Sequence, residues 1–106
     1  MASRIEFVEY IVDQLSDLGN VYYKSMMGEY LIYVNSKYCV GVCDNQMFLK
    51  PTKKAKELLR EVIEKPMYDG AKPSYLITDI EDRDYLQQIV QATYDELPES
   101  KKRKAS

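Results

Sequence analysis

The chain has no histidine and no tryptophan, and in 106 residues it carries only two phenylalanines, two cysteines, four glycines and four prolines. Without histidine, Ser-His and Cys-His activation of a nucleophile is excluded. The glycines are scattered and form neither a Walker-type phosphate loop nor a dinucleotide fingerprint. Two cysteines leave a protein zinc site short of its usual four Cys or His ligands. On one strand, Cys39 and Cys43 would stand about 13 Å apart. A disulfide needs about 4.4–6.8 Å, so both are expected as reduced, small hydrophobic residues. No apolar run approaches the roughly 18–20 residues that span a bilayer. The start, Met1-Ala2-Ser3-Arg4, leads into an amphipathic segment without a signal-peptide core, so a cytoplasmic protein without membrane contact is expected.

What is present reads as one modest globular domain. Hydrophobic residues make up 45% and charged residues 30%, which disfavours wholesale disorder. Residues 1–98 hold 11 basic against 16 acidic side chains, and the tail Lys101-Lys102-Arg103-Lys104 reverses that sign locally. An acidic body repels phosphates and disfavours a broad nucleic-acid face, leaving the tail as the part suited to an acidic partner. Residues 1–98 are therefore expected to be the domain and 99–106 a basic, disordered tail.

Ser3-Arg4-Ile5-Glu6 has the pattern of a capping box. Ile5, Val8, Ile11, Val12, Leu15 and Leu18 then recur at helical spacing before Gly19, predicting a helix over 4–18. From Val21 the period changes. Short aromatic and β-branched runs at 21–26, 30–34, 38–43 and 46–50 are separated by short polar connections, which predicts an antiparallel meander. After Pro51, Thr52 is a candidate N-cap for a helix marked by Ala55, Leu58, Leu59, Val62 and Ile63 and closed before Pro66. Residues 74–78 suggest one more strand. Asp79 or Asp82 caps a last helix carrying Leu86, Ile89, Val90, Thr93 and Leu97. The expected class is α+β, an antiparallel sheet of about five strands flanked by three helices in the order α-β-β-β-β-α-β-α.

Few side chains suggest chemistry. The carboxylate pairs Asp13/Asp17 and Glu61/Glu64 fall on polar helix faces and read as solvated surface rather than acid–base machinery. Read as a calcium loop from Asp79, the acidic run has Asp84 where glycine belongs and Val90 where glutamate belongs, so it reads as helix capping instead. Lys50, Lys53, Lys54, Lys56 and Arg60 form a basic surface whose cations oppose the helix dipole, hinting at an anion nearby, although i,i+4 pairing with Glu57 and Glu64 also accounts for them. Tyrosine is unusually frequent, at ten residues. Tyr22, Tyr23, Tyr30, Tyr33, Tyr38, Tyr68 and Tyr75 fall on or beside the sheet, suiting either plain sheet packing or a binding surface.

Two motifs sit in fixed order: Lys24-Ser25-Met26-Met27-Gly28-Glu29-Tyr30-Leu31-Ile32-Tyr33, then Asp44-Asn45-Gln46-Met47-Phe48-Leu49-Lys50. With Gly70-Ala71-Lys72-Pro73 and Thr93-x-x-Glu96-Leu97-Pro98, they resemble the N-terminal domain of the TfoX/Sxy family over most of residues 4–98. Met27, Glu29 and Asn45 depart from the family's usual phenylalanine and two glycines. The resemblance implies a secretion-chaperone-like α+β fold and a non-enzymatic, bacterial regulatory role, promoting transcription of competence genes alongside an activator. Longer members carry a second domain, and 106 residues are expected to hold only the first.

The expectation is thus a regulatory or adaptor domain that binds a protein partner, transcription machinery among the candidates, with neither cofactor nor metal. Its candidate contact residues are Lys24, Tyr30, Tyr33, Lys50, Lys72 and Tyr75, and a sheet-mediated homodimer is a further expectation. Two alternatives stay open: nucleic-acid binding through the tail and the second-helix lysines, and sensing of a small anion near Lys24, Lys50 and Lys72.

Overall fold

The computed structural model describes residues 5–26 and 29–97. The first helix, α1 (Ile5–Gln14), turns Val8, Ile11 and Gln14 inward. It ends earlier than its apolar periodicity predicts, because the chain tightens into a 3₁₀ turn at Ser16–Leu18. Gly19, at φ 137°, follows that turn, in a backbone region that L side chains avoid. The Ser3 of the proposed capping box lies outside the described residues.

The meander follows as β1 (Val21–Met26), β2 (Glu29–Val34), β3 (Lys37–Cys43) and β4 (Gln46–Leu49). Asn35-Ser36 and Asp44-Asn45 join these strands with positive φ at both central positions, as two-residue hairpins require. The Asn35 side chain accepts from the Asn20 amide at 2.9 Å, binding the first connection to the chain entering β1. Next come α2 (Lys53–Leu58), β5 (Glu64–Pro66), β6 (Pro73–Ile77) and α3 (Arg83–Glu96). Thr52 and Asp82 cap the two helices, accepting from the amides of Ala55 and Tyr85.

The fold is α+β, and the sheet has six antiparallel strands in the order β1-β2-β3-β4-β6-β5, one more than expected. The extra strand arises where the second helix was predicted to continue. At Leu59 the backbone turns extended. The Arg60 amide donates to the Tyr85 hydroxyl, and its guanidinium pairs with Asp79 and Asp82 rather than with Glu64. Residues 64–66 are thereby freed to pair with β6.

One face of the sheet carries all three helices. Ile32, Val34, Val40, Val42, Met47 and Leu49 form the core there with Val8, Ile11, Leu15, Leu86, Ile89 and Val90. Between Ile32 and Tyr33 the register slips by one residue against β3, so Cys39 and Val40 both enter the core. That bulge also sets Cys43 on the opposite face from Cys39, and both cysteines are free. Among the described residues no helix is long and apolar enough to cross a membrane.

Candidate interaction surface

Side chains alternate along a strand, so the face opposite the helices receives Tyr22 and Lys24 from β1 and Leu31 and Tyr33 from β2. The bulge resets the phase in β3, which adds Tyr38 and Gly41 to the same face. The register sets Tyr22 opposite Tyr33 and Tyr33 opposite Tyr38. The Tyr22 and Tyr33 rings are stacked with centroids 5.3 Å apart and planes within 4°. The Tyr33 and Tyr38 centroids are 5.9 Å apart. An ammonium group sits over each of the last two rings: Lys24 Nζ is 5.3 Å from the Tyr33 centroid, and Lys50 Nζ is 4.9 Å from that of Tyr38. The result is a row of three half-buried tyrosines with an ammonium group over two of the rings.

The row ends under a methionine. Met67, in the connection from β5 to β6, lies over Gly41, where a Cβ would meet its sulfur at 2.5 Å and the Tyr38 hydroxyl at 2.8 Å. Gly41 is thus needed for close approach rather than for backbone freedom. The Tyr38 hydroxyl donates toward Met67 Sδ at 3.9 Å. Burial, reinforced by Glu29 and the neighbouring Tyr33 and Tyr68, pushes the Tyr38 hydroxyl up to about 12. It therefore acts as a neutral hydrogen-bonding group at ordinary pH.

The structure separates the six candidate residues. Lys24, Tyr33 and Lys50 come together in this row. Tyr30 faces the helices, edge-on to Tyr23, and Tyr75 is buried in the core. Lys72 is exposed in the connection before β6. Tyr22 and Tyr38 complete the row, and period-two counting outward from the hairpin turns finds them once the bulge is known.

The anion hinted at by the basic second helix is internal. Glu96, at the end of α3, accepts from the amides of Lys53 and Lys54 at 3.1 and 3.0 Å. Those two amides, Lys54's first, hold the Glu96 carboxyl below its ordinary value. A cleft of about 660 Å³ lies between α2 and α3, where Lys54, Glu57, Asp84 and Asp95 mix both signs of charge around Leu58 and Ala92. Gln87, Gln88 and Gln91 add neutral amides to the lining, so no single sign of charge dominates it. Among the described residues, no group of His, Cys, Asp or Glu side chains is placed to hold a metal ion.

Residues 13–97 match the model of the TfoX N-terminal domain. An uncharacterized 12.7 kDa protein in the trpE 5′ region of Spirochaeta aurantia is 33% identical over 106 residues, covering 99% of this chain and 92% of that protein. Both matches run through the strands that build the tyrosine row and through α2 and α3 behind them, and the chain accordingly belongs to the TfoX N-terminal domain family.

Proposed function

We propose that this protein is a non-enzymatic regulatory or adaptor domain of the cytoplasm that binds another protein through its helix-free sheet face and acts in the control of transcription. One observation carries the reading. The two family-like motifs, which are separate in sequence, each deliver one lysine to the same stack of tyrosines. Tyrosine combines large, stiff contact area with a polar tip, and is enriched where surfaces become interfaces. The flanking cations suit a partner that offers carboxylates beside apolar or aromatic groups.

Lys24, Tyr33 and Lys50 are the contact residues of this reading, with Tyr22 and Tyr38 beside them. The alternative of nucleic-acid binding draws less support here. The reason is Glu96, whose carboxylate already occupies the amides at the start of the second helix. The basic run 101–104, the other part of that alternative, lies outside the described residues.

The test compares tagged wild-type protein with the Tyr33→Ala/Lys50→Ala double variant, both confirmed folded by circular dichroism, in partner capture from cell extract. Selective loss of a captured protein from the variant is the expected outcome. An identical captured set overturns the reading. Capture of nuclease-sensitive material that salt abolishes moves the assignment to nucleic acid.

A further inference from the structure

The two edges of the sheet are built differently. At one end, β5 is three residues long, carries Glu64 and Lys65, and closes with Pro66 paired to Pro73. Shortness, charge and proline are the devices that keep an edge from pairing with another chain. At the other end, β1 is six residues long, contains no proline, and carries one charge, Lys24.

The hydrogen-bond phase of β1 fixes which groups its edge presents. The Asn35 amide donates to the Asn20 carbonyl at 2.9 Å, and the Asn20 amide in turn reaches the Asn35 side chain. Asn20 therefore points both backbone groups toward β2. Hydrogen-bonded positions alternate along an antiparallel ladder, so Tyr22, Lys24 and Met26 do the same. Val21, Tyr23 and Ser25 turn their amides and carbonyls outward, and no backbone or side-chain partner meets them among the described residues.

We propose that β1 is a homodimerisation edge, pairing antiparallel with β1 of a second copy about a two-fold axis at Tyr23. This register matches Tyr23 with its copy and Val21 with Ser25 of the other chain, engaging every outward group in about six backbone hydrogen bonds. On the helix-free face it sets Tyr22 against Lys24 of the other copy, a further ring beside an ammonium group, as at Tyr33 and Tyr38. Neighbouring registers do worse. An axis at Lys24 opposes like charges, and an axis at Tyr22 pairs Ser25 with Gly19, beyond the strand. The partner is thus a second copy of this chain, and the dimer joins two tyrosine rows into one surface. The inference rests on the edge of the sheet and does not require the face to bind anything.

Light scattering measures the assembly. Wild type is expected at twice the 12.4 kDa chain mass, insensitive to salt. Ser25→Pro removes one outward amide while leaving the bonds to β2 in place, and is expected at the single-chain mass with an unchanged circular dichroism spectrum. Wild type that stays monomeric, or a folded Ser25→Pro variant that stays dimeric, overturns the proposal.

Should Ser25→Pro fail to fold, cysteines decide. In a Cys43→Ser background, Tyr22→Cys with Lys24→Cys places opposed positions about 4.5 Å apart, inside disulfide range. The double variant is expected to form a covalent dimer on oxidation, and neither single variant should. No covalent dimer, or one from Tyr22→Cys alone, overturns the register. Tyr33→Ala should leave the mass unchanged, so loss of partner capture and loss of dimer report separately.

Discussion

Lys37 invites replacement, because it is a lysine only 8% exposed in a small domain. Its ammonium donates to the carbonyls of Tyr94 at 3.1 Å and Leu97 at 2.9 Å, and lies 4.2 Å from the Tyr94 ring centroid. These carbonyls close α3, where the helix dipole favours a cation. Lys37→Met keeps most of the apolar stem and removes the charge. Each charge-assisted hydrogen bond is worth about 1.5–3 kcal/mol, and the helix-end effect up to about 2 kcal/mol. Against this stands the cost of desolvating the ammonium, several kcal/mol, which methionine escapes. We expect a net loss of about 2 kcal/mol, because the two carbonyls left behind lack a donor. For a domain of this size that corresponds to a Tm lower by about 8 °C. Urea or thermal unfolding reads the global change. Hydrogen exchange should show the last turn of α3, including the Leu97 amide bonded to Thr93, opening more than the sheet. A variant as stable as wild type, with that turn equally protected, would show that the Lys37 ammonium does not hold the end of α3.

Gly41→Ala is expected to cost about 1–3 kcal/mol through its clash with Met67 and the Tyr38 hydroxyl, with part recovered in the Gly41→Ala/Met67→Ala double variant; strictly additive losses in urea unfolding would contradict that contact. Glu96→Gln should speed hydrogen exchange at the Lys53 and Lys54 amides. Because the carboxyl is held below its ordinary value of 4.5, this stabilising contact is present above that pH and is lost as pH falls through the folded value. For Tyr38 the direction reverses: the folded protein keeps the hydroxyl proton up to about 12, whereas the unfolded chain releases it near 10.0, so stability falls as pH rises across that interval. Tyr38→Phe should flatten that decline in unfolding measured against pH, and an unchanged slope would count against a buried Tyr38.

The helical stripe of α1 and the four strands after it were legible because each rests on local chemistry. Apolar residues recur every three or four positions, then alternate, with Asn and Asp at the turns. The end of α2 was not legible: Leu59, Val62 and Ile63 keep a helical rhythm, and what stops the helix is Arg60 reaching Tyr85 and Asp82, more than twenty residues away. The tyrosine row was half legible. Composition marks it, yet Tyr22 and Tyr23 are adjacent and must face opposite ways, and only the bulge at Cys39–Val40 decides that Tyr38 joins Tyr33. The basic start of α2 hinted at an anion from outside, whereas the carboxylate found there is Glu96 of the same chain, over forty residues downstream. Lys37 gave no signal, since a lysine just after a turn reads as solvated surface.

If the tyrosine–lysine face is where this domain meets its partner, a photo-crosslinking phenylalanine derivative at Tyr33 will capture that partner in irradiated living cells, and the same group at exposed Gln88 on α3 will not. A discrete adduct to another protein from position 33 and none from position 88 is the expected result. Adducts from position 88 alone, or equal and diffuse labelling from both, would contradict it.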